Sequence, residues 1–133
     1  MRRDFALPLA DREYLDATGF PWEAVKQGGD FWLLLHDMEL PAGYTVANAS
    51  VAIKIEPGYP NAQLDMAYFF PLLARKDGKA IPCADARTQI DGKQWQRWSR
   101  HRTPANPWIA GEDSIETHFI LVRDWLAREF ERR

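Results

Sequence analysis

The chain is poor in the residues on which most small-protein chemistries depend. It holds one cysteine in 133 residues, so an internal disulfide is excluded, and Cys83 has no neighbouring cysteine with which to share a zinc ion. Its three histidines, His36, His101 and His118, are too scattered to compose a metal site, so neither a metal nor an organic cofactor is expected. Neither sign of charge is in excess: 17 Lys+Arg stand against 19 Asp+Glu, a net charge of −2, and nothing draws the chain to nucleic acid or to an anionic membrane. Long apolar runs are missing as well. Residues 31–35 form a dense apolar stretch far below the roughly 20 residues of a membrane span. The basic start, Met1-Arg2-Arg3, leads into Pro8 and the charged run Asp11-Arg12-Glu13 rather than the apolar core of a signal peptide. These absences predict a soluble protein of the reducing cytoplasm.

What is present suits one packed domain over residues 1–133. Apolar residues make up 46% and aromatics 13%, with six tryptophans, which is ample for a core and unlike a disordered chain. Residues 11–17 run from a possible cap to just before Gly19 and predict a short helix. Pro21 suits the first position of a second helical turn, residues 22–25, which Gly28-Gly29 would stop. Residues 31–36 read as a strand and residues 40–44 as a bend. Val51, Ile53 and Ile55 alternate with Ala52 and Lys54, the pattern of a strand with one buried face, and Leu64, Met66, Tyr68 and Phe70 alternate again before Pro71. Strands joined by short turns predict an antiparallel meander. From residue 74 to 107 the pattern breaks up around Asp77-Gly78, Pro82, Asp91-Gly92, Pro104 and Pro107, which predicts a long irregular stretch carrying Cys83, Trp95, Trp98 and His101. Beyond it, Ile115, Phe119, Val122, Leu126 and Phe130 recur at steps of three and four, with Asp113 and Glu116 at capping-box spacing, so residues 114–130 predict a helix packed on the sheet.

Two segments carry a resemblance. Ile53-Lys54-Ile55-Glu56-Pro57-Gly58-Tyr59-Pro60 resembles the ubiquitin-conjugating (E2) signature in which a strand enters a proline turn and then Tyr-Pro. Ile81-Pro82-Cys83-Ala84-Asp85 resembles the E2 active-site stretch, with a hydrophobic residue before the cysteine and an acidic one two places after it. The strand ending Tyr68-Phe69-Phe70, the spacing from Tyr59 to Cys83, the tryptophans that follow and the final helix keep the order of E2 parts from about residue 31 onward. The nearest match in kind is the divergent prokaryotic E2 family E. The resemblance implies a UBC-like α+β fold with about four antiparallel strands, an N-terminal helical segment and a C-terminal helix. It also implies Cys83 as the nucleophile, an E1-like enzyme as donor and a ubiquitin-like protein as cargo. One departure stands out: E2 enzymes carry His-Pro-Asn shortly before the cysteine, and here the corresponding stretch reads Leu72-Leu73-Ala74-Arg75-Lys76.

Such chemistry needs an exposed thiol that ionises near neutral pH. Arg75, Lys76, Lys79 and Arg87 lie near Cys83 in sequence and favour its thiolate, whereas Asp85 opposes it. With the asparagine missing, the oxyanion of transfer must be met by a backbone N–H, His101 or the Ser99 hydroxyl. His101 is also a candidate for proton transfer, and Asp85 for orienting the incoming amine. Against these stand plainer readings, in which Cys83 is an apolar filler, His101 and Asp85 are solvated, and His36 and His118 are structural. Trp95, Trp98 and Trp108 read first as packing residues, although Arg97, Arg100 and Arg102 among them superficially suggest nucleic-acid stacking. The functional alternatives are a non-catalytic E2-fold adaptor for a ubiquitin-like protein or E1, and an unrelated small binding domain.

Overall fold

A computed structural model of the chain describes residues 1–131. The order of elements is helix α1 (Leu9–Ala17), strands β1 (Trp22–Gln27), β2 (Asp30–Glu39), β3 (Asn48–Lys54), β4 (Ala67–Phe70), β5 (Arg87–Ile90) and β6 (Lys93–Trp98), and helix α2 (Ile115–Arg128). All six strands join one antiparallel sheet in the order β1-β2-β3-β4-β6-β5. The α+β architecture agrees with the sequence reading, but the sheet has six strands where about four were expected.

Both extra strands have a local cause. Residues 22–25 form strand rather than a helical turn, because Trp22–Gln27 pairs along its whole length with Asp30–Leu35 across the Gly28-Gly29 turn. The second addition lies in the stretch expected to be irregular. There Asp91 and Gly92, at φ 53° and 76°, make the tight turn of the β5–β6 hairpin. Consecutive positive φ values match the right-handed twist of the flanking strands, which is why Asp-Gly favours such turns.

The hairpin curls the sheet until its two edges meet. The Gln27 amide on β1 donates to the Gln89 carbonyl at 3.1 Å and accepts from the Asp91 N–H at 2.8 Å. Arg2 spans Glu23 at 2.8 Å and Asp91 at 2.7 Å, which holds the Glu23 carboxyl down at about 2. Edge groups that would otherwise invite another strand are thereby engaged.

Curling also buries both faces. Leu33, Leu35, Val51, Ile53, Phe69 and Trp98 pack toward Leu15 of α1 and Ile115, Phe119, Val122 and Leu126 of α2. Trp32, Leu34, Ala52, Tyr68, Ile90 and Trp95 form a second cluster on the opposite face. The expectation of one buried face for β3 is therefore corrected: Ala52 is as inaccessible as Val51 and Ile53, because the hairpin closes over it. Trp95 and Trp98, an odd number of residues apart, point to opposite faces and are buried in different clusters. Helix α2 starts one residue later than expected, with Ser114 as N-cap and Thr117 as its capping-box partner in place of Asp113 and Glu116.

Candidate functional site

Cys83 lies in a turn between β4 and β5, exposed and unpaired. Its φ of 54° is in the left-handed region, which a residue with a Cβ occupies only when its surroundings hold it there. Both flanking peptide groups are held. The carbonyl of Pro82 accepts from Arg100 Nη1 at 2.9 Å, and the carbonyl of Cys83 accepts from the Ser99 N–H at 3.0 Å. On the far side, Arg87 Nη1 gathers the carbonyls of Ala84, Asp85 and Ala86 at 2.8–3.2 Å. The turn is thus pinned by side chains and backbone while its thiol faces out.

Arg100 is itself fixed by a buried ion cluster. Its Nη2 lies 3.3 Å from Glu129 Oε1, and Arg75 Nη1 lies 3.6 Å from Glu129 Oε2 and donates to the Glu129 carbonyl at 2.8 Å. Arg75 also grips Asp77 through Nε and Nη2 at 3.0 and 2.6 Å. The Arg75 and Glu129 side chains are each only 2% exposed. A carboxylate shared by two guanidinium groups escapes the cost of burial that a lone charge would meet. Because Glu129 is the C-cap of α2, the arginines also meet the negative end of the helix dipole.

The stretch in the place of the His-Pro-Asn tripeptide is built differently. Leu73 exchanges two hydrogen bonds with the buried Gln96 amide, N–H to Oε1 at 3.1 Å and Nε2 to carbonyl at 3.0 Å. Gln96 Oε1 also accepts from Trp98 Nε1 at 2.8 Å. Leu73, Ala74, Lys79, Asp85, Arg87 and Gln96 help to line a small cavity of about 180 Å³ next to the cysteine turn.

The other sequence-level candidates are placed as follows. Asp85 is exposed at the rim of that cavity. His101 is 61% exposed and pairs through Nδ1 with Asp65 Oδ2 at 2.9 Å, a carboxylate rather than the cysteine. The Ser99 contribution at Cys83 is its backbone N–H. Of the cations near Cys83 in sequence, Arg75 serves the Glu129 cluster and Arg87 the carbonyls after the cysteine. His118 is buried on α2, donating to the Met66 carbonyl at 2.9 Å, and burial holds its pKa down at about 4, so it is neutral. His36 bridges Glu23 and Ser50 across three strands at 2.8 Å each. Both play the structural parts expected of them.

Sequence reasoning missed Arg100, Glu129 and Gln96. Arg100 was visible only as one of several arginines among tryptophans, and Glu129 as one more charge at a helix end. Nothing in the chain marks two residues 29 positions apart as partners.

A family model described as prokaryotic E2 family E matches residues 7–129. No curated protein and no solved structure matches the chain. Among the described residues no helix is long and apolar enough to cross a membrane.

Proposed function

The chain belongs to prokaryotic E2 family E, and from that premise we propose that it carries a ubiquitin-like protein as a thioester on Cys83. An E1-like enzyme is the donor and an amine the acceptor. The observation that carries this reading is the exposed thiol on a turn whose flanking carbonyls are both held, at the place where the family resemblance puts the nucleophile.

In the first step the Cys83 thiolate attacks the carbonyl of the donor thioester, a new C–S bond forms, and the E1 thiolate leaves. In the second an amine attacks the same carbonyl, the Cys83 thiolate departs and the amine loses a proton, leaving an amide. The first step exchanges one thiolate for another through a tetrahedral oxyanion and releases no proton. The second passes through an oxyanion again and also releases a proton from the amine, which is where E2 asparagine serves and where this chain has Leu72 to Lys76 instead. For that step we assign proton acceptance to His101, which is backed by Asp65, and orientation of the amine to Asp85.

The replaced tripeptide also favours a second reading, an adaptor that binds the same partners without a covalent bond. One experiment separates the two. The chain is incubated with E1-like and ubiquitin-like proteins from its own gene neighbourhood and ATP, and conjugates are resolved with and without a thiol reductant. The expected product is a reductant-sensitive conjugate, absent with Cys83→Ala and converted to a reductant-resistant ester with Cys83→Ser. A complex that forms equally well with Cys83→Ala and contains no covalent bond would establish the adaptor and sink the thioester.

A further inference from the structure

A groove of about 400 Å³ runs between the segment 100–106 and α2, lined by three arginines, Arg100, Arg102 and Arg128, against one carboxylate, Asp124. Two of the arginines are satisfied. Arg100 serves Pro82 and Glu129, and Arg128 Nε pairs with Asp124 at 2.9 Å one helical turn away. Arg102 is different. Its side chain is only 5% exposed, yet Nε and Nη2 are both buried without a hydrogen-bond partner. Its nearest carboxylate oxygen, Asp113 Oδ2, is 3.9 Å from Nη1, beyond hydrogen-bond range, and is already taken by the Ile109 N–H at 2.7 Å. The ring of Trp108 packs 4.8 Å from the guanidinium and offers its face, not an acceptor.

A buried charge without an acceptor is among the most costly features a fold can hold, so an orphaned guanidinium needs an explanation. The identity of the two orphaned nitrogens supplies one. Nε–H and Nη2–H lie on the same edge of the planar group and point the same way, which is the edge that takes two oxygens of one carboxylate or phosphate in parallel. We propose that Arg102 anchors an oxyanion site in this groove, receiving a carboxylate or a phosphate group on its Nε–Nη2 edge. Both nitrogens are closed to solvent in the free chain, so a ligand reaches this edge by displacing what covers it. The site lies one guanidinium away from the peptide bond that precedes Cys83, since Arg100 lines the groove and also holds the Pro82 carbonyl. It is independent of the thioester reading, because nothing in it uses the thiol.

The test is a thermal melt of the whole chain titrated with inorganic phosphate, with acetate, and with chloride at matched ionic strength. Tryptophan fluorescence is followed in parallel, since Trp125 lines the groove and Trp108 stacks on Arg102. Saturable stabilisation beyond that of chloride is expected, of roughly 5 °C at ten times the half-saturating concentration. Arg102→Met, which keeps an unbranched apolar stem against Trp108, should melt no lower than wild type without added anion and lose the response. Arg102→Lys keeps the charge but not the paired edge, and should need about tenfold more ligand. Response to phosphate alone identifies a phosphate ligand, response to acetate alone a carboxylate, and response to both an edge that takes either oxyanion. The proposal is overturned if wild type responds to neither anion beyond chloride, or if Arg102→Met responds as wild type does. Should Arg102→Met fail to fold, the lysine variant and the wild-type fluorescence titration decide the matter alone.

Discussion

The two ends of α2 are fastened by different chemistry. At its start, Tyr59 Oη donates to Asp11 Oδ2 at 2.8 Å and accepts from the Ile115 N–H at 2.9 Å, tying α1, the Tyr-Pro turn and the first turn of α2 together around one carboxylate. At its finish, Glu129 sits between Arg75 and Arg100 and ties α2 to the stretch after β4 and to the turn that presents Cys83. The first junction joins elements of the scaffold alone. The second joins the scaffold to the candidate site. Perturbing the start should therefore change stability without changing the cysteine, and perturbing the finish should change both.

The largest effect is expected from Glu129→Gln. The amide matches the carboxylate in shape but leaves the buried Arg100 guanidinium without its countercharge and Arg75 with Asp77 alone, a loss of about 3 kcal/mol. Chemical denaturation would read the stability. The rate of Cys83 alkylation at fixed pH would read the site, and it should change, because Arg100 loses the partner that aims it at Pro82. An unchanged alkylation rate would break the link between the cluster and the cysteine.

A smaller effect, about 2 kcal/mol at neutral pH, is expected from Tyr59→Phe, which removes a hydrogen bond to the buried Asp11 carboxyl while the ring contact with Trp108 remains. The sign of its pH dependence follows from Asp11, whose carboxyl is raised by burial and pulled back in part by the Tyr59 hydroxyl. A raised carboxyl binds its proton more tightly in the folded chain than in the unfolded one. Its contribution to stability is therefore favourable at acid pH and falls as pH rises through the folded value. Without the hydroxyl the rise is larger, so the variant should lose more stability at neutral than at acid pH. Cys83 alkylation should not move, and a shift there would erase the contrast between the two junctions.

The start of α2 was far more legible in the sequence than its finish. The stripe from Ile115 to Phe130 announces the helix, and Gly58-Tyr59-Pro60 announces the turn, because both rest on neighbours in the chain. The ion cluster rests on residues 75, 100 and 129, whose meeting depends on the whole sheet being in place. The same division explains the sheet. Strands β3 and β4 show alternation, whereas β5 and β6 have only Ile90, Trp95 and Trp98 as buried apolar residues, spread over two faces, so no period of two emerges. The Asp91-Gly92 turn signal was present in that stretch, and its strands were hidden by the polar residues around it. Strand β1 was obscured by Pro21, which suits the start of a helix as well as the residue before a strand; pairing with β2 decided between them.

The smallest effect tests the finish of α2 at the cysteine itself. Glycine adopts φ 54° freely, whereas any residue with a Cβ adopts it at a cost of about 1 kcal/mol or slightly more. Cys83→Gly should therefore be more stable than Cys83→Ala by about 0.5 kcal/mol, the part of that cost left after glycine's greater freedom when unfolded is subtracted. The position is exposed, so neither change opens a cavity. In an Arg100→Lys background the lysine ammonium cannot span both Pro82 and Glu129 as the guanidinium does, the hold on the turn weakens, and the gap between glycine and alanine should close. In a Tyr59→Phe background it should persist in full. A gap that survives Arg100→Lys would mean that the Ser99 N–H and the Arg87 fork hold the turn unaided, and that the end of α2 supports the cysteine only by proximity.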